Sequence, residues 1–442
     1  MHKLMFFVLR IVNILLTILG AMLVVKVFEP ESYGVYVYII SSSAVIINLS
    51  QANSQEYINN NYGKIKNSNT FLVVLPLLVA ICSFATSLIF LYFSDEYDDM
   101  VFLVALLNLL NIPALHYLRI LLLEKKRIYF SICEMFLKNS WVVALSYYYY
   151  TNQYVSVVDL FIYKTIASLI LVIIYFIRTN RVKRKKDNDL VEYYKYARMS
   201  FLGYISFFLI ESVDKILLGI YSNAIQVANY SYLSIPPSMA YMIFVSIIFT
   251  YIIPTLVESH DKDKTLYIQI NRSVYELCIS GFSFLSCLLL LYPDVVSIVL
   301  NKQDEYNVSS YYVIQSFVFL NLSMLVVKRR DMFLKGTHNR LNYLLPSYLF
   351  FKIIIYALFS LLYEVEYHFA VISSAAMYVC IGVILFRDMY LSSIAKFFFP
   401  IAITFLLSDV YIESYWGFIR FIPIVLIGLH MLVVTRRVFN FD

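Results

Sequence analysis

The chain has 442 residues, of which 61% are apolar and only 14% charged, with a mean hydropathy of +0.74 and a formal net charge of +6. Soluble domains carry about 25% charged residues because they must cover a water-facing surface. A soluble globule is therefore excluded, and the composition indicates an all-α integral membrane protein whose main solvent is lipid. The five cysteines all sit in apolar runs, without a CxxC pair or neighbouring histidines, which suits small packing residues rather than metal ligands or disulfides.

A spanning helix takes about 20 mainly apolar residues, and fourteen runs approach that length. The first, near 4–25, is followed by Lys26-Val27-Phe28-Glu29 rather than a small-residue cleavage site, so it reads as a spanning helix and not as a removable signal. Runs near 35–56, 70–93, 100–123, 129–150 and 157–178 complete a first set of six. The basic run Arg178–Asn188 (RTNRVKRKKDN) comes next, then Leu190–Met199 (LVEYYKYARM), whose mixed tyrosines and charges suit a short helix in the membrane interface. A second set of six lies near 198–220, 227–256, 270–292, 308–327, 341–363 and 367–387. Two further runs, near 396–412 and 417–435, form a C-terminal hairpin. The expected organisation is a six-helix lobe over 1–186, a second over 187–390, and the hairpin over 391–442.

Lysine and arginine are retained in cytoplasmic loops. Placing the N-terminus inside puts the great majority of the 35 such residues on the cytoplasmic side, whereas the opposite loops are acidic or neutral, as in Ser94–Asp99 and Tyr363–Glu366. Both termini are then cytoplasmic. Because six is even, both lobes start on the same side, so a repeat relating them has its axis along the membrane normal. A faint repeat fits this: Glu29–Tyr36 after the first helix and Ser222–Tyr230 after the seventh are each a polar turn before an aromatic-rich helix start.

Chemistry is hard to find in this sequence. The longest external loop, about 293–307, is too short to hold an acceptor site with its catalytic acid and base. Neither a phosphate-binding GxxxxGK[ST] loop nor an HExxH pair occurs, so no nucleotide hydrolysis or metallohydrolase signature is present. These features point away from an enzyme and toward transport. No cofactor is implied, and nothing suggests a nucleic-acid partner.

Charges inside the spanning runs carry more information, because each costs roughly 2.5–3.5 kcal/mol at the bilayer centre. Glu134 and Lys138 are four apart, and Glu211, Asp214 and Lys215 stand at i, i+3 and i+4, so each set shares a helix face. Either set can serve as structural ion pairs. Alternatively, Glu134, Glu211 and Asp214 are candidates for ion coupling. Lys164 and Lys352 have no acidic residue at i±4 in their own helices and are candidates for lining a cavity, together with Lys138 and Lys215. Lysines on several helices suit an anionic cargo, whose outward movement gains about 2.3 kcal/mol per charge per 100 mV. Pro236 and Pro237, with Pro254 further on, mark the eighth run as a bent, candidate moving helix. Tyr147–Tyr150 reads as an interfacial belt.

Two six-helix lobes, the turn Pro30-Glu31-Ser32-Tyr33-Gly34-Val35-Tyr36 after the first helix, and a seventh helix ending Asp214-Lys215-Ile216-Leu217-Leu218-Gly219 before a second such turn resemble the polysaccharide flippases, often called Wzx. These belong to the multidrug, oligosaccharidyl-lipid and polysaccharide exporter superfamily. The resemblance implies a V-shaped pair of bundles around a central cavity, alternating access, and undecaprenyl-pyrophosphate-linked repeat units of O-antigen, capsule or exopolysaccharide as cargo. It further implies a bacterial inner-membrane location, basic cavity residues in the positions of Lys138, Lys164, Lys215 or Lys352, contact with membrane lipids, and a polysaccharide polymerase and chain-length regulator as partners. An ion-coupled multidrug or metabolite antiporter of the same superfamily is the alternative, for which a mainly acidic and apolar cavity is expected.

Overall fold

The computed structural model describes residues 2–51, 54–65, 68–92, 98–151, 153–179, 190–247, 256, 263–291, 309–335, 340–408 and 421–439, and every regular element among them is a helix. The basic run beyond Thr179, most of the Ser94–Asp99 loop, the loop at 293–307 and Pro254 lie outside the described residues. Among the described residues, ten helices are long and apolar enough to cross a membrane. Large apolar side chains such as Leu15, Ile89, Ile173 and Leu432 are turned outward, as a chain solvated by lipid requires. The protein is a multi-pass, all-α membrane protein.

The chain parts into two compact units, Met1–Gly219 and Ile220–Asp442. The first contains α1 (His2–Val27), α2 (Pro30–Gln51), α3 (Ser54–Ile65), α4 (Leu75–Tyr92), α5 (Asp98–Leu123), α6 (Arg127–Thr151), α7 (Val157–Thr179) and nearly all of α8 (Leu190–Tyr221). Pro30 opens α2 at the first helical position, where its missing N–H would have no partner in any case. Ser156 and Asp159 cap α7 reciprocally: the Ser156 N–H donates to the Asp159 carboxylate at 2.9 Å, and the Asp159 N–H to the Ser156 hydroxyl at 3.2 Å.

Two helices of this unit differ from the sequence expectation. Polar α3, SQEYINNNYGKI, was not anticipated; Tyr57, Ile58 and Ile65 bury one of its faces. The segment from Leu190 is no separate interfacial helix, because it runs on without a break into the rest of α8. Its Tyr193 and Tyr196 pack on Tyr57, and the Tyr193 hydroxyl donates to the Gln51 carbonyl at 3.1 Å. Near its other end, Gly219 admits the Tyr38 ring: a Cβ there would lie 2.3 Å from Tyr38 Cδ2.

A π-wound turn, Thr70–Val74, precedes α4. Pro76 follows it and has no N–H to offer the Leu72 carbonyl. The buried Tyr175 hydroxyl of α7 donates to that carbonyl instead. Tyr175→Phe should leave the carbonyl short of a partner, at about 1–3 kcal/mol, and the purified protein should melt several degrees lower in detergent.

The second unit contains α9 (Ala224–Ile247), α10 (Lys264–Leu291), α11 (Ser309–Leu334), α12 (Leu341–Ser360), α13 (Tyr367–Ser408) and α14 (Ile422–Phe439). Asn223 caps α9 by accepting the Gln226 N–H at 3.0 Å, so the two turns of the faint repeat are closed by different chemistry, proline in one and asparagine in the other. Helix α10 packs against α9, α11, α13 and α14. At Gly281 a Cβ would sit 1.9 Å from Phe244 Cζ of α9.

The runs near 367–387 and 396–412 were expected as separate helices, but α13 continues through both for 42 residues. The polar stretch that interrupts the hydropathy, Arg387-Asp388, holds neither glycine nor proline, and so interrupts apolarity without interrupting the helix. Hydroxyls inside this unit turn back onto their own helices: those of Ser231, Ser234, Ser283, Ser286, Ser316 and Ser323 each donate to the carbonyl four residues earlier at 2.7–2.9 Å.

Candidate functional site

The densest polar constellation lies in the first unit, where α1 packs against α6. Apolar α1 carries Arg10, Asn13, Thr17 and Gly20 at a spacing that places them along one stripe. That stripe meets Glu134, Lys138, Asn139 and Trp141 of α6. Glu134, almost wholly buried, accepts from the Arg10 guanidinium, from the Lys138 ammonium at 2.8 Å and from Asn13 Nδ2 at 3.3 Å. Asn139 Nδ2 donates to Asn13 Oδ1 at 2.6 Å and lies 3.2 Å from Thr17 Oγ1. Gly20 permits the close approach, since a Cβ there would stand 2.7 Å from Val142 Cγ2 and 3.0 Å from the Trp141 ring.

One helical turn further along α6, the Trp141 indole N–H donates to the Lys138 carbonyl at 2.6 Å, and its ring lies 4.9 Å from Lys164 Nζ of α7. On another side of that ammonium is Tyr36 of α2, with its ring 4.8 Å away and its hydroxyl at 2.8 Å. Cation–π contact is worth about 2 kcal/mol when desolvated, and here two aromatic rings and a hydroxyl receive the Lys164 side chain. From the Arg127 end of α6 toward its Thr151 end the cations follow as Arg10, Lys138 and Lys164. They rise over roughly 10 Å at 1.5 Å per residue and form a ladder on three helices of one unit. Lys138 is the most open rung, with about half its side chain exposed.

The other sequence candidates are not gathered here. Along α8, Glu211 is exposed, Asp214 buried and Lys215 half-buried, and both carboxylates act on the Lys215 side chain. Lys352 belongs to the second unit and is fully enclosed, where it donates to the Ser374 hydroxyl of α13 and lies 3.4 Å from the Tyr348 hydroxyl.

Arg10, Asn13, Thr17, Asn139, Tyr36 and Trp141 were not picked out by reading for charge within helices. The signal was available for α1: four polar or small residues at helical period in an otherwise apolar run.

A second cluster ties the Arg127 end of α6 to its neighbours. Glu124 pairs with Arg178 and with Lys126 at 3.0 Å, and accepts from the Tyr62 hydroxyl of α3 at 3.4 Å. Burial alone would raise the Glu124 carboxyl, but hydrogen bonds and charge from Lys126 and Arg178 outweigh that and hold it below its ordinary value. Burial and the adjacent carboxylate push Tyr62 up to about 12. Because the folded-state pKa of Glu124 is depressed, its stabilisation is present above the ordinary carboxylate range and disappears as pH falls through the folded value. Thermal melts from pH 7 down to pH 3 should therefore show an acid-side loss that Glu124→Gln makes shallower.

The fold and this constellation define a multi-pass membrane protein with a cationic polar seam inside one helical unit. Among solved structures, the lipid II flippase MurJ in an inward closed conformation has the same fold: TM-score 0.69 over 98% of this chain and 99% of that one, at 13% sequence identity. At that identity the likeness shows the fold and nothing finer. No family model matches the sequence, and no curated protein matches it.

Proposed function

We propose that the chain is a flippase that carries undecaprenyl-pyrophosphate-linked oligosaccharide repeat units, of O-antigen, capsule or exopolysaccharide, from the cytoplasmic to the periplasmic leaflet by alternating access. The observation that carries this reading is the ladder Arg10, Lys138, Lys164, set in a fold shared with a flippase of a lipid-linked precursor. A diphosphate headgroup needs successive cations to replace its water as it crosses, and the ladder offers them along one line. Lysines and arginine in that place disfavour a cationic drug as cargo, which speaks against the antiporter alternative.

On this reading the protein lies in a bacterial inner membrane with both termini cytoplasmic. Its partners are the lipid-linked oligosaccharide, membrane lipids, and a polymerase and chain-length regulator acting afterwards. It catalyses no bond-making step. Lys215 completes the set of cargo-facing cations, Glu211 and Asp214 are its sites for ion coupling, and Lys352 fills space between α12 and α13.

The test is reconstitution in liposomes carrying an undecaprenyl-pyrophosphate oligosaccharide, with an external glycosidase reporting how fast inner-leaflet sugar becomes accessible. Exposure faster than in protein-free vesicles supports the flippase. An unchanged rate together with gradient-driven efflux of a cationic dye moves the chain to the drug-exporter class.

A further inference from the structure

Glu134 poses a question that the flippase reading leaves open: why a seam meant for an anion holds an anion of its own. Its carboxylate satisfies Arg10, Lys138 and Asn13 together. Donors beside it remain unused, since Arg10 Nε and the hydroxyl of Ser131, one turn before Glu134 and 1% exposed, are buried without a hydrogen-bond partner among the described residues. The seam thus has more donor capacity than one carboxylate fills.

We propose that Glu134 is a built-in competitor that sets which headgroups enter the seam: it occupies the anion position in the empty protein and yields Arg10 and Lys138 only to a diphosphate. This rests on the flippase reading and adds a selectivity filter to it. Bulk phospholipids far outnumber any lipid-linked sugar and present a phosphodiester, which has one negative charge and two unesterified oxygens. A carboxylate has the same charge and the same number of acceptor oxygens. Exchanging one for the other gains nothing, and the tethered carboxylate has the advantage of high effective concentration. A diphosphate diester brings a second charge and twice the unesterified oxygens. It can take Arg10 and Lys138 and also the idle Arg10 Nε and Ser131 hydroxyl, through charge-assisted bonds that a phosphodiester cannot match in number. Specificity here comes from a penalty imposed on the wrong ligand.

The experiment uses full-length protein in detergent with Trp416→Phe, so that Trp141 is the sole tryptophan and its emission reports ligands arriving beside Lys138 and Lys164. The probes are a diphosphate diester, farnesyl-diphosphoryl-N-acetylglucosamine, and dihexanoyl phosphatidylglycerol. The unaltered seam should prefer the diphosphate by roughly 100-fold or more, and E134Q should bring that preference below about tenfold, chiefly by tightening the phosphodiester. E134D, which keeps the charge, should retain the preference. Should E134Q fold poorly, R10Q/E134Q removes the pair without leaving a buried charge alone, and the same narrowing is expected. A preference unchanged in E134Q, or in the double variant, overturns the competitor role while leaving the flippase standing. If neither probe alters Trp141 emission or is retained in equilibrium dialysis, the flippase reading falls and the filter with it.

Discussion

Lys164→Met is expected to slow sugar exposure in liposomes by at least tenfold, while Lys164→Arg retains most of the rate. A hydrogen bond to a charged group is worth about 1.5–3 kcal/mol, and Lys164 is the last cation of the ladder, set against Tyr36 and Trp141. Methionine preserves the stem between the two rings and removes only the charge and its donors. Thermal melting separates the two roles this residue can have. A flipping defect with a melting temperature close to that of the parent locates the loss in cargo handling. A fall in melting temperature that accounts for the lost activity assigns Lys164 to holding α2, α6 and α7 together.

In the second unit Lys352 should behave in the opposite sense. Lys352→Ala removes a fully enclosed side chain and leaves a cavity, and large-to-alanine changes of this kind cost about 2–5 kcal/mol. Lys352→Met fills most of that volume without a buried charge, and replacing buried charge by apolar groups of similar size is often neutral or stabilising. The alanine variant should melt well below the parent, and the methionine variant at or above it. Equal losses in both would mean that the ammonium, through Ser374 and Tyr348, is what fastens α12 to α13.

How far the sequence reached follows from the range of the interactions concerned. Apolar runs report their own solvent, so the spanning helices were legible with boundaries a few residues off. Helix α3 was missed because SQEYINNNYGKI is polar on average, and its buried side, Tyr57, Ile58 and Ile65, matters only once Phe71, Tyr193 and Tyr196 are beside it. The run at Arg387-Asp388 misled because hydropathy and helix propensity are separate properties, and only the first changes there.

The pairing of Glu134 with Lys138 is local, four residues along one helix, and could be read directly. The bond from Arg10 to Glu134 joins residues 124 apart, and nothing in either stretch announces the other. Lys164 was rightly seen to lack an acidic neighbour in its own helix, but its partners are aromatic and come from two other helices, which spacing within one helix does not encode.

The serines of the second unit bear on how such a fold persists while its sequence wanders. Each of the six hydroxyls is satisfied by a carbonyl of its own helix, and of the six that of Ser283 alone also reaches a second helix, at the Phe397 carbonyl 3.5 Å away. Exchange for alanine at such a place removes a donor whose acceptor keeps its ordinary helical N–H, a nearly neutral change. Drift can then accumulate serine by serine across a bundle whose architecture does not register it, until a shared shape outlasts nearly all shared letters.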